Sequence, residues 1–315
     1  MHTILVTGGC GFIGSHLSEA LAGRGDRLRV LDDLSTGRAD ALPPGASLLR
    51  GDVADALLLR EAMSGVDACI HLAAVASVEK GVRDWLGTHR TNLSGTIAVF
   101  DAARREGLAR GHALPVVYAS SAAVYGDAAD QPIKETAALR PLSAYGADKL
   151  GCELHARVAG AVHGVPTMGL RFFNVFGPRQ NPASPYSGVI SIFCDRIRRG
   201  QPISIFGDGG QTRDFIYVGD VVSALLAALD AATPAAPVYN VCSGIACSVA
   251  ELSERIGRLC GVNPVVSRQA SRQGEIRHSL GSPRLAQEAL RLGEPLCLDD
   301  GLRHVLDWMG EADQS

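Results

Sequence analysis

In the stretch PLSAYGADKLGCE (141–153), Tyr145 and Lys149 stand four residues apart. On an α-helix that spacing stacks two side chains on one face. Ser143 is the expected N-cap of this helix, and Leu150 and Leu154 are its expected apolar edge. A free tyrosine gives up its proton near pH 10, too high for a base at neutral pH. A neighbouring ammonium and the positive ring of an oxidised nicotinamide both favour a phenolate, which can then take a proton from a substrate hydroxyl. A third group lies upstream. YASSAAVYG (118–126) reads as a strand end that carries Ser120 and Ser121 to the edge of a sheet. Ser121 precedes Tyr145 by 24 residues and can orient the same substrate oxygen. A Tyr-x-x-x-Lys spacing arises by chance in many helices, so this chemistry needs an oxidant beside it.

VTGGCGFIG (6–14) offers a place for one. Gly9, Gly11 and Gly14 form G-x-G-x-x-G after a strand and before a helix, and with Gly8 the run also reads G-x-x-G-x-x-G. Missing Cβ atoms let the backbone turn sharply and approach a pyrophosphate seated on the positive helix N-terminus. The pattern alone could be a tight strand-to-helix turn; its context is what makes it a dinucleotide fingerprint. Asp32 ends the second strand about 20 residues on, where a carboxylate accepts from ribose hydroxyls and repels a 2′-phosphate. NAD is therefore expected over NADP. GDV (51–53) ends the third strand and sets Asp52 and Val53 near the adenine.

The elements that position these groups alternate between short apolar or β-branched runs and helical stretches. Strands are expected at 3–8, 28–34, 47–53, 68–74, 115–121 and 166–177, with helices at 13–25, 55–65, around 88–107 and from 144. Such alternation implies an α/β fold, a doubly wound parallel sheet of Rossmann type. From about 178 the chain becomes polar and broken; 201–220 reads as strand, Gly turn, strand, 221–232 as an apolar helix and 238–244 as a strand. The expected division is a cofactor domain over 1–177 and about 217–245, with a smaller mixed α/β substrate-binding lobe over about 178–216 and 246–315. A net charge of −3 gives no electrostatic case for nucleic acid or an anionic membrane. No apolar run reaches the roughly 20 residues of a membrane span, and the start MHTILVTGG lacks the marks of a signal peptide. Eight scattered cysteines (10, 69, 152, 194, 242, 247, 260 and 297) read as reduced thiols with no zinc spacing, which points to the cytoplasm.

Taken as a set, TGGCGFIGSHL, DDLSTG, GDV, HLAA, SSAAVYG, YGADK, RFFNVFGPRQNP and RDFIYVGD resemble the extended short-chain dehydrogenase/reductase family. Within it they resemble nucleotide-sugar 4-epimerases of the UDP-glucose and UDP-N-acetylglucosamine type, from residue 3 to about 308. The resemblance implies a tightly held NAD, reduced and reoxidised within one turnover. It implies that Ser121, Tyr145 and Lys149 are catalytic. Tyr145 would take the proton of the sugar 4-hydroxyl while hydride leaves C4; the 4-keto sugar would then turn over and take hydride back on its other face. The implied cofactor shell is Gly8, Gly11, Phe12, Ile13 and Gly14 at the phosphates, with Asp32, Asp33, Ser35, Thr36 and Gly37 beyond the second strand. Asp52 and Val53 follow, then Leu72, Ala73, Ala74 and Asn92, and finally Ser120, Tyr145, Lys149 and Phe173.

For the sugar nucleotide the resemblance implies Ser77, Ser121, Ala122, Tyr145, Asn174 and Val189. It adds Phe206 stacked on uracil, Arg213 and Arg272 clamping the diphosphate, and Ser279 limiting the space at the sugar's 2-substituent. Either arginine could instead form a surface ion pair, and Phe206 could serve the core. A small serine at 279 leaves room for an N-acetyl group. Family dehydratases and decarboxylases carry an acid just after the catalytic hydroxyl; Ala122 and Ala123 stand there, which argues for epimerisation or simple oxidation and reduction. Uronic-acid epimerases carry Thr and Arg where this chain has Asn174 and Asn181, which weakens a UDP-glucuronate substrate. The remaining alternatives are a nucleotide-sugar oxidoreductase that releases its nicotinamide and a non-catalytic NAD-binding protein. Helices near 92–107 and 146–163 resemble the pair that joins family homodimers.

Overall fold

The computed structural model describes residues 1–76, 78–182, 188–271 and 276–312. Among them lie thirteen strands, numbered in chain order. The first six belong to the main sheet: β1 (Thr3–Thr7), β2 (Arg27–Asp32), β3 (Ser47–Arg50), β4 (Ala68–His71), β5 (Val116–Ser121) and β6 (Thr167–Phe172). Then come β7 (Asn174–Phe176), β8 (Ile203–Phe206), β9 (Thr212–Tyr217), β10 (Val238–Val241), β11 (Ala246–Ser248), β12 (Val266–Gln269) and β13 (His278–Ser279). The main sheet has seven parallel strands in the order β10-β6-β5-β4-β1-β2-β3. Its order reverses between β1 and β4, the place where an open α/β sheet leaves a ligand crevice at its carboxyl edge.

Alternation along the strands supplies two cores. On one face Ile4, Val6, Val30 and Ile70 pack with Leu17 and Leu21 of the helix Phe12–Gly23 and with Val221 and Leu225 of the helix Val218–Ala231. On the other, Leu5, Leu31, Cys69 and Tyr118 pack with Leu59, Val99, Phe100, Cys152 and Ala156. Because both faces are covered, the central strands read as continuous apolar runs. A third core of Phe176, Phe193, Ile203, Phe215, Leu252 and Leu302 lies under the small sheets β11-β9-β13, with β7 beside β9, and β12-β8. Among the described residues, no helix is long and apolar enough to cross a membrane.

Two elements depart from the sequence expectation. The run 166–177 is two strands: Phe172 pairs with both Ser121 and Val241, where β5 and β10 end, so the chain leaves the sheet and Asn174 pairs with Phe215 of β9. The stretch around 88–107 is the helix Trp85–His89, a π-turn Arg90–Ser94 and the helix Gly95–Arg110. Such single wide turns often mark functional positions, and this one carries Asn92 into the interior. The reading of 201–220 as strand, Gly turn, strand holds: β8 and β9 flank Gly207 and Gly209, both at positive φ, which send β9 into a different sheet from β8.

Candidate active site

The loop after β1 is built for close backbone approach. Gly8 has φ +73°, and a Cβ on it would meet the Ala73 amide nitrogen at 2.6 Å. A Cβ on Gly14 would lie 2.1 Å from the Gly8 carbonyl oxygen. Gly11 caps the following helix without any side-chain hydrogen bond, so no cap side chain covers the first-turn amides. Asp32 closes the crevice at the end of β2. Its carboxylate accepts from the amides of Cys10 (2.9 Å) and Leu34 (2.8 Å) and is 7% exposed. Burial pushes its pKa up, and the two amides oppose that shift. Burial, with the charge of Asp32 second, pushes the Cys10 thiol up to about 12, so it stays protonated beside the loop.

The other expected cofactor residues surround this cradle. Phe12 and Ile13 open the helix; Asp33, Ser35 and Thr36 lie beyond β2, and Gly37 packs on the Cys10 carbonyl. Val53 is buried, and the Asp52 carboxylate accepts from the Ala54 amide. Leu72, Ala73 and Ala74 follow β4, with the Ala73 amide donating to the Thr7 hydroxyl. Asn92 grips the Val75 backbone at both its amide and its carbonyl, at 2.7 and 3.2 Å. Phe173 is buried at the main sheet's carboxyl edge. Glycines that a Cβ would clog, uncapped helix amides and a strand-end carboxylate fit a dinucleotide.

The proton-transfer helix spans Ala144–His163, and Ser143 is its N-cap, accepting from the Gly146 amide at 3.1 Å. A Cβ on Gly146 would lie 2.6 Å from the Ala123 carbonyl, so the first turn packs tightly on the turn after Ser121. This contact packs the turn that carries Tyr145 against the turn that follows Ser121. The Ser121 hydroxyl accepts from the Ala123 amide, and Ala122 starts the same turn. Lys149 is 3% exposed; its ammonium donates to the Ala119 carbonyl at 2.8 Å and lies 5.8 Å from the centre of the Tyr145 ring. The expected apolar edge is corrected at Leu154. The helix buries Gly146, Asp148, Lys149, Cys152 and Glu153, while Leu154, Val158 and Val162 point outward. Its buried face combines small residues, Cys152, Ala156 and Ala159, which pack in the core, with Lys149 and Glu153, which bond to β5.

A network behind the site is not anticipated by the motifs. The Ser120 hydroxyl donates to Glu153 at 2.5 Å, and Glu153 takes two bonds from Arg171 at 2.9 and 2.7 Å. Arg171 also donates to the Tyr125 hydroxyl, which donates to Asn240. Lys149 and Glu153, one turn apart, thus dock on Ala119 and Ser120 immediately before Ser121. The signals are present in sequence: Glu153 sits four residues after Lys149, and Arg171 interrupts an apolar strand. Nearby, His71 is buried between the hydroxyls of Thr7 (2.6 Å) and Thr96 (2.9 Å), and burial, then Lys149, lowers its pKa to about 3.

On the substrate side, β9 gathers several expected residues. Asn174 of β7 donates to the Asp214 carbonyl at 3.1 Å, and Arg213 pairs in register with Ser279 of β13. Val189 starts the helix Val189–Arg198 and Phe206 ends β8. Asp214 is another unanticipated anchor: fully buried, it accepts from Ser243, Gly244 and Gly281, and burial raises its pKa against those bonds. Ser77 and Arg272 lie outside the described residues.

The family model described as "NAD dependent epimerase/dehydratase family" matches residues 4–242. A UDP-glucose 4-epimerase of Azospirillum brasilense is 34% identical over 335 residues, covering 99% of this chain and 93% of that protein. Two solved structures superpose over nearly the whole chain. The UDP-N-acetylglucosamine 4-epimerase from Methanobrevibacter ruminantium, in complex with UDP-N-acetylmuramic acid, has a TM-score of 0.92 at 32% identity, covering 99% of both chains. The Thermus thermophilus UDP-glucose 4-epimerase in complex with NAD has a TM-score of 0.89 at 32% identity, covering 98% of this chain and 99% of that one.

Proposed function

The chain belongs to the NAD-dependent epimerase/dehydratase family, and we propose that it inverts C4 of a UDP-hexose or UDP-N-acetylhexosamine. The observation that carries this reading is the buried Lys149 ammonium, fixed by the Ala119 carbonyl beside the Tyr145 ring, in a chain that also holds the glycine cradle after β1. The amides of the Gly8–Gly14 loop would hold the pyrophosphate of NAD, and Asp32 would hold its ribose. Bound there, NAD supplies a hydride acceptor and donor for C4.

Tyr145 takes the proton from the sugar 4-hydroxyl, and Lys149 holds the positive charge that favours phenolate. Ser121 donates to the same oxygen and fixes its direction. When the 4-keto sugar has turned about its diphosphate, Tyr145 returns the proton to the oxygen on the opposite face. Ala122 and Ala123 put no acid or base directly after Ser121, where an eliminating member of the family would carry one. Asn174, Val189, Phe206 and Arg213, together with Ser77 and Arg272, bind the sugar nucleotide. Ser279 leaves space at C2. Val189, Phe206, Arg213, Arg272 and Ser279 belong to a lobe of about 178–216 and 246–315, while Ser77 and Asn174 come from a cofactor domain of 1–177 and about 217–245.

The protein acts as a homodimer in this reading. Leu154, Val158 and Val162 make an outward apolar stripe on the helix Ala144–His163, and Trp85 and Leu86 are exposed on the helix Trp85–His89. Eight free cysteines, six of them buried, support a reducing, cytoplasmic setting. Incubating the purified protein separately with UDP-glucose, UDP-N-acetylglucosamine and UDP-glucuronate, with no added NAD, tests the reading by NMR of the products. C4 epimers of the first two are expected. Net consumption of added NAD, one per sugar converted and with no C4 epimer formed, would make the protein an oxidoreductase that releases its cofactor.

A further inference from the structure

Ser279 lies in β13, opposite Arg213 of β9. The loop that follows the Ser121 strand closes its other flank. Gln131 in that loop lays its side-chain amide across the Ser279 backbone: Oε1 accepts from the Leu280 amide at 2.9 Å, and Nε2 donates to the His278 carbonyl at 3.3 Å. One side chain therefore grips the peptide groups on both sides of Ser279. Nε2 also donates to the Ala128 carbonyl at 3.3 Å, which ties the grip to its own loop.

The backbone continues the seam. The Ile133 amide donates to the Leu280 carbonyl at 2.8 Å, and the Ser282 amide donates to the Ile133 carbonyl at 2.9 Å. Behind the seam, Asp214 accepts from the Gly281 amide at 3.2 Å. Gly281 itself is wedged: a Cβ there would lie 2.6 Å from both the Cys242 sulfur and the Phe173 ring. Residues 280–282 are thus held by main chain and packing. The peptides flanking Ser279 rely on β9 and on Gln131.

We propose that Gln131 is a positioning residue for sugar selectivity, setting how far Ser279 stands back from the 2-substituent of the bound sugar. This rests on the reading of Ser279 as the wall at C2. An N-acetyl group reaches that wall, whereas a plain hydroxyl stops short of it. Loosening the wall therefore changes one substrate class more than the other.

The test uses the full chain with Gln131→Met, which keeps side-chain length while removing the bonds, and Ser279→Tyr in parallel. The kcat/KM values for UDP-N-acetylglucosamine and UDP-glucose are compared, and amide exchange at Leu280 reports the grip. For Gln131→Met the ratio of N-acetylated to plain substrate is expected to fall by about three- to tenfold, the scale of one net hydrogen bond, with faster exchange at Leu280. An unchanged ratio with Gln131→Met, whether or not both rates fall together, overturns the role of Gln131. If Ser279→Tyr still suppresses the N-acetylated substrate selectively, the pocket reading survives that result. If Ser279→Tyr leaves the ratio unchanged, the pocket reading fails and this inference fails with it.

Discussion

Replacing Arg171 by Met removes the cation from the network behind the site and strands Glu153. In the native chain both side chains are 6% exposed and joined by two hydrogen bonds, at 2.9 and 2.7 Å. Arg171 also donates to the Tyr125 hydroxyl at 2.7 Å and to the Glu135 carbonyl at 3.3 Å. Methionine fills much of the same space, so lost packing is a small part of the cost. The large part is a carboxylate left in the interior with Ser120 as its remaining donor. Breaking one side of a buried pair costs about 3–5 kcal/mol, a large share of a total stability on the order of 5–15 kcal/mol. Adding Glu153→Met removes the stranded charge. The double variant still leaves the Ser120 hydroxyl unpaired, at about 1–3 kcal/mol, so it should recover roughly half of the loss. Urea unfolding followed by circular dichroism measures all three proteins. A cost below about 1 kcal/mol for Arg171→Met, or a double variant no more stable than the single one, would show that the pair does not anchor the helix.

Other substitutions separate the parts of the site. Gly14→Ala puts a methyl group where the Gly8 carbonyl already sits, 2.1 Å away, so purified protein should lose its bound NAD, measured by release and absorbance. Lys149→Met should keep NAD while lowering kcat by about 10²-fold or more, the scale of a lost acid–base group. His71 gives a pH signature. Its folded pKa, near 3, lies below the unfolded value near 6.5, so the unfolded chain binds more protons between them. Its contribution is therefore complete above about pH 6.5 and declines as pH falls toward 3, at up to about 1.4 kcal/mol per unit. Urea unfolding of His71→Asn from pH 7 to 4 should show a shallower acid loss than the native protein; parallel curves would mean that His71 does not stay neutral.

The parts of this molecule legible in its sequence are those whose signal is local. The glycines of 8–14, the strand-end Asp32 and the Tyr145–Lys149 spacing each lie within one element or one turn, so periodicity and turn chemistry expose them. The course of the main sheet follows from the same alternation. What stayed hidden depends on partners far along the chain. Phe172 ends a strand because β5 and β10 stop beside it, a fact held at residues 121 and 241. Leu154 faces outward because the opposite helix face is claimed by Ala119, Ser120 and Arg171. Gln131 meets Leu280 across 149 residues, and no window of sequence contains both.

The most direct measurement follows the hydrogen at C4. UDP-glucose deuterated at C4 is incubated with the purified protein and no added NAD, and the products are read by NMR, with Tyr145→Phe alongside. The account predicts UDP-galactose that keeps its deuterium at C4, and a Tyr145→Phe protein that retains NAD but turns over slower by about 10²-fold or more. Deuterium lost to solvent, or full activity in Tyr145→Phe, would contradict it.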